Sequence, residues 1–278
     1  MVLVLLGSLS ISAAAAEMTP ILPQEAKLLP PDAPPGARMG TSVAVEGGVL
    51  VAGAYTDKAP ATNSGSAYVF ERDPESVEPW RFVQKLTVPG GESFAEFGIA
   101  SAIDQGRIVV GARGIQKVYV YERSGPETAP WEIVAELFDS SGGNFGNALD
   151  LDGDVLVVGD LSDNSLTGEA FVYHRDDTGW SLEQRLLASD SEAGDAFGTS
   201  VGVSGRTIAV GANAAEMGGV TYLFEWQETQ LEWVEVRTVF PEGGFFINTF
   251  GESVALDGDW LAVGAKDAPV NGMSQAGA

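Results

Sequence analysis

The sequence predicts an all-β protein: a β-propeller of four-stranded antiparallel blades, with four complete blades, a partial fifth and an incomplete ring. Three observations predict it. Two glycines recur at one fixed spacing along the 278 residues, the stretch between them reads as a tight hairpin, and two further strands follow each hairpin.

The spacing comes first. An aromatic-Gly pair stands at Phe97-Gly98, Phe145-Gly146, Phe197-Gly198 and Phe250-Gly251, with Met39-Gly40 as a degenerate copy. A second glycine follows at Gly53, Gly111, Gly159, Gly211 and Gly264, always 13 residues after the first. Such self-similarity at a fixed period marks a repeat architecture.

The hairpin comes next. Val254-Ala255-Leu256, the turn Asp257-Gly258-Asp259 and Trp260-Leu261-Ala262-Val263 form strand, turn and return strand. Asp-Gly between apolar runs is a strong hairpin signal. Asp152-Gly153, Gly47-Gly48 and Ser204-Gly205 keep the same chemistry. Return strands such as Val155-Leu156-Val157-Val158 are continuously apolar, as suits a strand buried on both faces.

The third strands are rich in aromatics: Ala67-Tyr68-Val69-Phe70, Val118-Tyr119-Val120-Tyr121, Ala170-Phe171-Val172-Tyr173 and Thr221-Tyr222-Leu223-Phe224. The fourth begin at Trp80, Trp131, Trp180 and Trp233, with Leu86, Leu137, Leu186 and Val239 six residues later. Each repeat is therefore one blade of 48 to 58 residues. The repeats run over about 38–96, 97–144, 145–196, 197–249 and, in part, 250–278. The recurring Phe and Trp are expected to be packing residues between blades.

These residues resemble the FG-GAP repeat, which is also found in the head of integrin α chains. The resemblance rests on the Phe-Gly pair, on the later Gly-Ala (Gly53-Ala54, Gly111-Ala112, Gly211-Ala212, Gly264-Ala265) and on Gly65-Ser66-Ala67-Tyr68-Val69-Phe70. It covers residues 24–278, and Gly159-Asp160 departs from the pattern. It implies the propeller fold and carries little about function, which is set by loops grafted onto the blades.

Both ends carry expectations. Residues 1–16 read as a signal peptide, with an apolar run from Val2 to Leu6 and Ala13 to Ala16 as a cleavage site, although no Lys or Arg precedes the run. That stretch is short for a membrane span, and no membrane insertion of the mature chain is expected. Residues 17–37 form a lead-in containing a lone outer strand, since Lys27-Leu28-Leu29-Pro30-Pro31-Asp32 aligns with Arg185-Leu186-Leu187-Ala188-Ser189-Asp190. Gln275-Ala276-Gly277-Ala278 reads as the opening of another third strand, so the sequence is expected to be a fragment of a longer protein. Its open edge would be a place for self-association.

Composition narrows the partners. The net charge of −24 argues against nucleic acid, which needs clustered Lys and Arg, and against anionic membrane surfaces. No cysteine is present, so thiol nucleophiles, disulfides and Cys zinc sites are excluded. The single histidine, His174, gives no basis for a triad or a multi-His metal centre. No catalytic residue, metal ligand or cofactor is assigned, and the chain is not expected to be an enzyme.

Calcium is disfavoured. Integrin-type repeats place a D-x-D-x-D-G-x-x-D loop between the first two strands. Asp150, Asp152 and Asp154 imitate its start, but Val155 stands where Gly is needed and Val158 where a carboxylate is needed. Asp190, Glu192 and Asp195 read as a solvated loop.

Antiparallel alternation sorts the loops onto two faces. Loops joining strands two to three, and four to the next blade, share one face and are long and variable: residues 55–64, 160–167, 213–218 and 266–274. Variable loops on a rigid scaffold are the usual site of recognition. The candidate contacts are Tyr55, Asp57, Arg113, Asp160, Asp163, Asn164, Asn213, Glu216, Lys266 and Asp267. The expected function is a secreted or cell-surface scaffold (extracellular, surface-attached or periplasmic) that binds protein or carbohydrate, an adhesion role implied partly by fold analogy. The alternatives are a propeller enzyme acting on polysaccharide, as hydrolase or lyase, and a purely structural module of a larger surface protein.

Overall fold

In the computed structural model the described residues are 27–277, without 33, 59, 74, 77–78, 126–127, 141–142, 162–165, 216–217, 242–248 and 269–276. The first blade comprises β1 (Val43–Glu46), β2 (Val49–Ala54), β3 (Ser66–Arg72) and β4 (Trp80–Leu86). The second has β5 (Phe97–Asp104), β6 (Arg107–Ala112), β7 (Lys117–Glu122) and β8 (Glu132–Phe138). The third has β9 (Ala148–Asp152), β10 (Val155–Asp160), β11 (Glu169–Asp176) and β12 (Gly179–Leu186). The fourth has β13 (Phe197–Ser204), β14 (Thr207–Ala212), β15 (Val220–Gln227) and β16 (Glu232–Val239). The partial blade has β17 (Phe250–Asp257) and β18 (Trp260–Ala265). Each sheet follows chain order and every pairing within a blade is antiparallel, while isolated parallel bridges Gly65–Phe97 and Gly168–Phe197 join neighbouring blades.

First strands of successive blades lie against one another, β1 with β5, β5 with β9, β9 with β13 and β13 with β17, so they form the inner wall of the arc. The middle strands are buried almost throughout: β10 has a blade on either side, whereas β3 has the second blade on one side and the lead-in residues Leu28, Ala37 and Met39 on the other. That is why their sequences do not alternate. In every complete blade the register slips once between the third and fourth strands, at Val69/Phe70, Val120/Tyr121, Val172/Tyr173 and Leu223/Phe224. The bulge adds twist to the outer strand at the same place each time.

The fixed glycine spacing has a steric cause. A Cβ on Gly111 would lie 2.1 Å from the carbonyl oxygen of Gly146, the first glycine of the next blade. Gly159 meets Gly198 and Gly211 meets Gly251 at the same 2.1 Å, and Gly53 meets Gly98 at 1.9 Å. Gly98, Gly146, Gly198 and Gly251 themselves adopt φ near +90°. The two glycines thus bring neighbouring blades into backbone contact, a distance no side chain allows.

The core is a series of layers between blades. Val157, Ala170 and Val172 of the third blade pack with Val201, Ile208, Val210 and Tyr222 of the fourth. Phe97, Phe145 and Phe197 are fully buried in these layers and Phe250 is 4% exposed. Phe145 meets Phe171 edge-on at 5.1 Å, and Phe197 meets Tyr222 at 5.4 Å. Trp131 and Trp233 are buried, whereas Trp80 and Trp180 are half-buried. A glutamine clamps two of the outer seams. Gln84 donates to the carbonyl of Trp131 and accepts from its N–H, and Gln184 does the same with Trp233.

Two expectations at the ends meet different outcomes. Residues 27–30 are not a strand. A strand exists through its ladder, and the partial blade offers only β17 and β18, with no third strand among the described residues for an outer strand to join. The reading of residues 1–16 as a signal peptide lies outside the described residues, as does that of 275–278 apart from Gly277. Among the described residues no helix is long and apolar enough to cross a membrane.

Candidate functional site

The two ends of the blades differ in construction. On one, the turn face, lie the tight turns between first and second strands. Each turn after the first is capped by the blade before it. Glu46 accepts from the N–H groups of Gln105 and Gly106, Asp104 from Gly153, Asp152 from Gly205, and the Ser204 hydroxyl from Gly258. The residue opening one turn therefore satisfies the backbone of the next.

This arrangement accounts for the Asp150, Asp152 and Asp154 series. Asp150 accepts from the N–H groups of Leu151 and Val203, Asp152 caps Gly205, and Asp154 pairs with Arg107 at 3.1 Å. Burial pushes the Asp150 carboxyl up to about 6, against the pull of its two backbone N–H donors and with the charges of Asp152 and Asp104 adding to the rise.

The other end, the loop face, carries most of the predicted contacts. Tyr55, Arg113, Leu161, Asn213 and Lys266 are equivalent, each two residues past the second glycine. Thr41, Ile99, Asn147, Thr199 and Glu252 are equivalent too, each one residue past the first. The blade register brings these two series together on an inner rim. Arg113 donates to Glu96 at 2.6 Å and to Asn147 at 2.8 Å, and Asn147 donates to the carbonyl of Thr199 at 3.3 Å. The Thr199 hydroxyl donates to Asn213 at 3.0 Å, and Asn213 donates to Glu252 at 2.5 Å. Glu252 also holds Lys266 at 2.5 Å, and this bond keeps the Lys266 ammonium above its ordinary range. One polar chain thus runs from the second blade to the partial fifth. Arg38 donates to the Tyr55 hydroxyl at the equivalent place in the first blade.

Three of the predicted contacts fall outside this chain of bonds. Asp57 is fully buried, where it accepts from the Tyr68 hydroxyl at 2.7 Å and pairs with Lys85 at 2.9 Å. Burial, helped by the bond to Asp57, pushes Tyr68 up to about 12. Burial alone would lower Lys85, but its bonds to Asp57 and Tyr68 hold it above its ordinary range. Asp57 is thus an interior residue of its blade rather than an exposed loop contact. Asp160 is 2% exposed and accepts from the N–H of Asn144 at 2.6 Å, so it closes the loop before Phe145. Asp267 is half-buried beside Thr249, at the margin of the rim. Asp163, Asn164 and Glu216 lie outside the described residues.

Glu96, Asn147, Thr199 and Glu252 are the rim residues that sequence reasoning missed. The signal that finds them is their constant offset from the Phe-Gly pair, one residue before or one after it. The loop at residues 190–195 is also more ordered than a solvated loop. Asp190 accepts from the Tyr222 hydroxyl at 2.7 Å, and Asp195, 8% exposed, accepts from the N–H of Glu192. His174 is exposed on β11.

Comparison with known proteins agrees with this register. A model of the FG-GAP repeat matches residues 22–70, 80–125 and 180–224. No curated protein matches the sequence. Among solved structures, a protein from Lactobacillus plantarum is similar over 82% of this chain and 67% of its own, with a TM-score of 0.58 and 16% identity. Saccharomyces cerevisiae Sqt1 is similar over 84% of this chain and 57% of its own, with a TM-score of 0.51 and 11% identity. At these identities the likeness concerns the fold alone. The stretches matched by the repeat model make up half of the chain, and they coincide with blades whose paired glycines and capped turns follow one register: the chain belongs to the FG-GAP repeat family.

Proposed function

We propose that the protein is an extracellular binding scaffold, secreted or held at the cell surface, that recognises a protein or glycan ligand with its loop face. The observation that carries this reading is the inner rim. Equivalent positions in four of the five blades give the rim Tyr55, Arg113, Asn213 and Lys266, with Leu161 in the third blade; Arg38 bonds Tyr55, and Asn147, Thr199 and Glu252 hold the other three. A ligand meeting this rim finds donors and acceptors already oriented, so little side-chain entropy is lost on binding. The residues differ from blade to blade while their backbone seats do not, which is how a repeat scaffold acquires specificity.

The test is a glycan array and an immobilised-protein adhesion assay, each run with the full chain and with the Arg113→Ala/Lys266→Ala double variant. Binding is expected to fall about tenfold or more in the double variant, a loss of about 1.4 kcal/mol or more. It is expected to persist when Glu46 on the opposite face is changed to Gln. Release of soluble products from a bound polysaccharide would replace this reading with a hydrolase or lyase.

A further inference from the structure

The loop that leads from β4 to β5 carries an aromatic ring where its described counterparts carry glycine. The loops from Leu28 to Met39, Leu86 to Phe97 and Leu186 to Phe197 are equal in length. The position three residues before their ends is Gly36, Phe94 and Gly194, with φ of +84°, +61° and +102°. A fourth loop of this length, from Val239 to Phe250, lies mostly outside the described residues. The backbone is left-handed at all three described positions, a conformation that suits glycine and strains a bulky side chain.

The strained backbone is held from two sides. The N–H of Phe94 donates to the carbonyl of Thr62 at 2.8 Å, and that of Glu96 to the carbonyl of Asn63 at 3.2 Å. On the other side the N–H of Gly114 donates to the carbonyl of Ala95 at 3.1 Å. A Cβ on Gly114 would lie 1.9 Å from the carbonyl oxygen of Phe94, so the two segments are in backbone contact. Ala95 itself is fully buried. The ring of Phe94 takes no part in this packing. The residue is 61% exposed, and among the described residues its ring joins none of the hydrophobic clusters and meets no other aromatic ring. A strained residue that a fixed frame turns toward solvent points to contact with a ligand.

The surroundings select the class of ligand. Thr62, Glu92 and Ser93 are exposed and polar. Glu96, two residues past Phe94, accepts from Arg113, which also bonds Asn147 on the rim. Anchors for protein partners sit in packed, desolvated pockets, whereas this ring stands alone among polar groups. A sugar ring presents an apolar C–H face bordered by hydroxyls. Its C–H groups suit the negatively polarised face of an aromatic ring, and its hydroxyls suit the donors and acceptors of Arg113, Glu96 and Asn147. The net charge of −24, with Glu92 and Glu96 close by in sequence, disfavours an anionic sugar.

We propose that Phe94 is a stacking platform for a neutral sugar ring, which makes the ligand of the loop face a glycan. This inference rests on the reading of the loop face as the binding face and narrows it to one ligand class.

Affinity electrophoresis of the full chain through gels containing dextran, mannan or galactan tests the proposal, with polygalacturonate as an anionic probe and immobilised gelatin as a protein probe. At least one neutral polysaccharide is expected to retain the protein, and polygalacturonate and gelatin to bind it about tenfold or more weakly. Phe94→Gly removes the ring and suits the left-handed backbone. It should weaken retention about tenfold or more with the unfolding temperature kept. Phe94→Tyr and Phe94→Trp should preserve retention, since each keeps an aromatic face. Leu231→Gly is the control: Leu231 is also left-handed, with φ of +55°, and 69% exposed, but it lies between β15 and β16 on the turn face, so retention should not change. Weaker retention of the Arg113→Ala/Lys266→Ala variant with none lost in Phe94→Gly would overturn the platform and leave the loop-face reading standing. No loss in either variant would overturn both. Phe94→Gly unfolding several degrees lower would make the ring a packing residue instead. Retention by none of the neutral polysaccharides, or tighter binding to polygalacturonate or gelatin, would overturn the neutral glycan.

Discussion

The two ends of the blades use the same residue types for different work. On the turn face, Glu46, Asp104 and Asp152 accept hydrogen bonds from backbone N–H groups of the next blade. On the loop face, Glu96, Asn147, Asn213 and Glu252 bond mainly to other side chains. A backbone donor is present whatever the sequence, so a carboxylate that caps it can recur in every blade. A side-chain partner exists only if its residue is kept, so the rim is free to change from blade to blade. One face therefore secures the arc while the other is open to specialisation.

Substitutions sharpen this contrast. The largest effect belongs to neither face but to the layer between them. Phe197→Ala is expected to cost about 3–5 kcal/mol in chemical denaturation, because the ring is fully buried between two blades. A loss below about 1 kcal/mol would show that the blades do not depend on this layer.

The next effect is one of pH. Asp150 is held at about 6 in the folded protein against an ordinary 3.8, so between these values the folded state binds the proton more tightly than the unfolded one. Its contribution to stability is fully present below pH 3.8 and is lost as pH rises through about 6. The stability of the protein relative to its Asp150→Asn variant should therefore fall by about 2–3 kcal/mol between these limits. A flat difference would mean that Asp150 titrates normally.

Asp152→Ala, which uncaps the exposed Gly205 N–H, is expected to cost about 0.5–1.5 kcal/mol. Lys266→Ala, which removes a 60% exposed side chain from the rim, should change stability by less than about 0.5 kcal/mol. If the two variants were equally stable, the division between a structural face and a specialised one would fail.

Much of this was legible in advance where a residue acts through its immediate neighbours in sequence. The Asp-Gly turns, the apolar return strands and the aromatic third strands appear where the pattern placed them, because a hairpin is set by local geometry and side-chain alternation. Asp57 illustrates where that reading stops. A carboxylate in a variable loop reads as an exposed contact, whereas in the folded blade Asp57 is held inside by Tyr68 and Lys85, 11 and 28 positions further on. Asp160 is likewise turned inward by the loop that precedes Phe145.

What the sequence determined by itself was the repeat: five paired glycines at a spacing of 13 residues, and with them the blade and its strand order. Tertiary structure alone decided which polar residues meet. Asp152 caps a glycine 53 positions away, Gln84 clamps a tryptophan 47 positions away, and Asn213 reaches a glutamate 39 positions away. Each pairing crosses a seam between blades. The physical reason is that local periodicity sets how a blade folds, whereas contact across a seam exists only once two blades have packed.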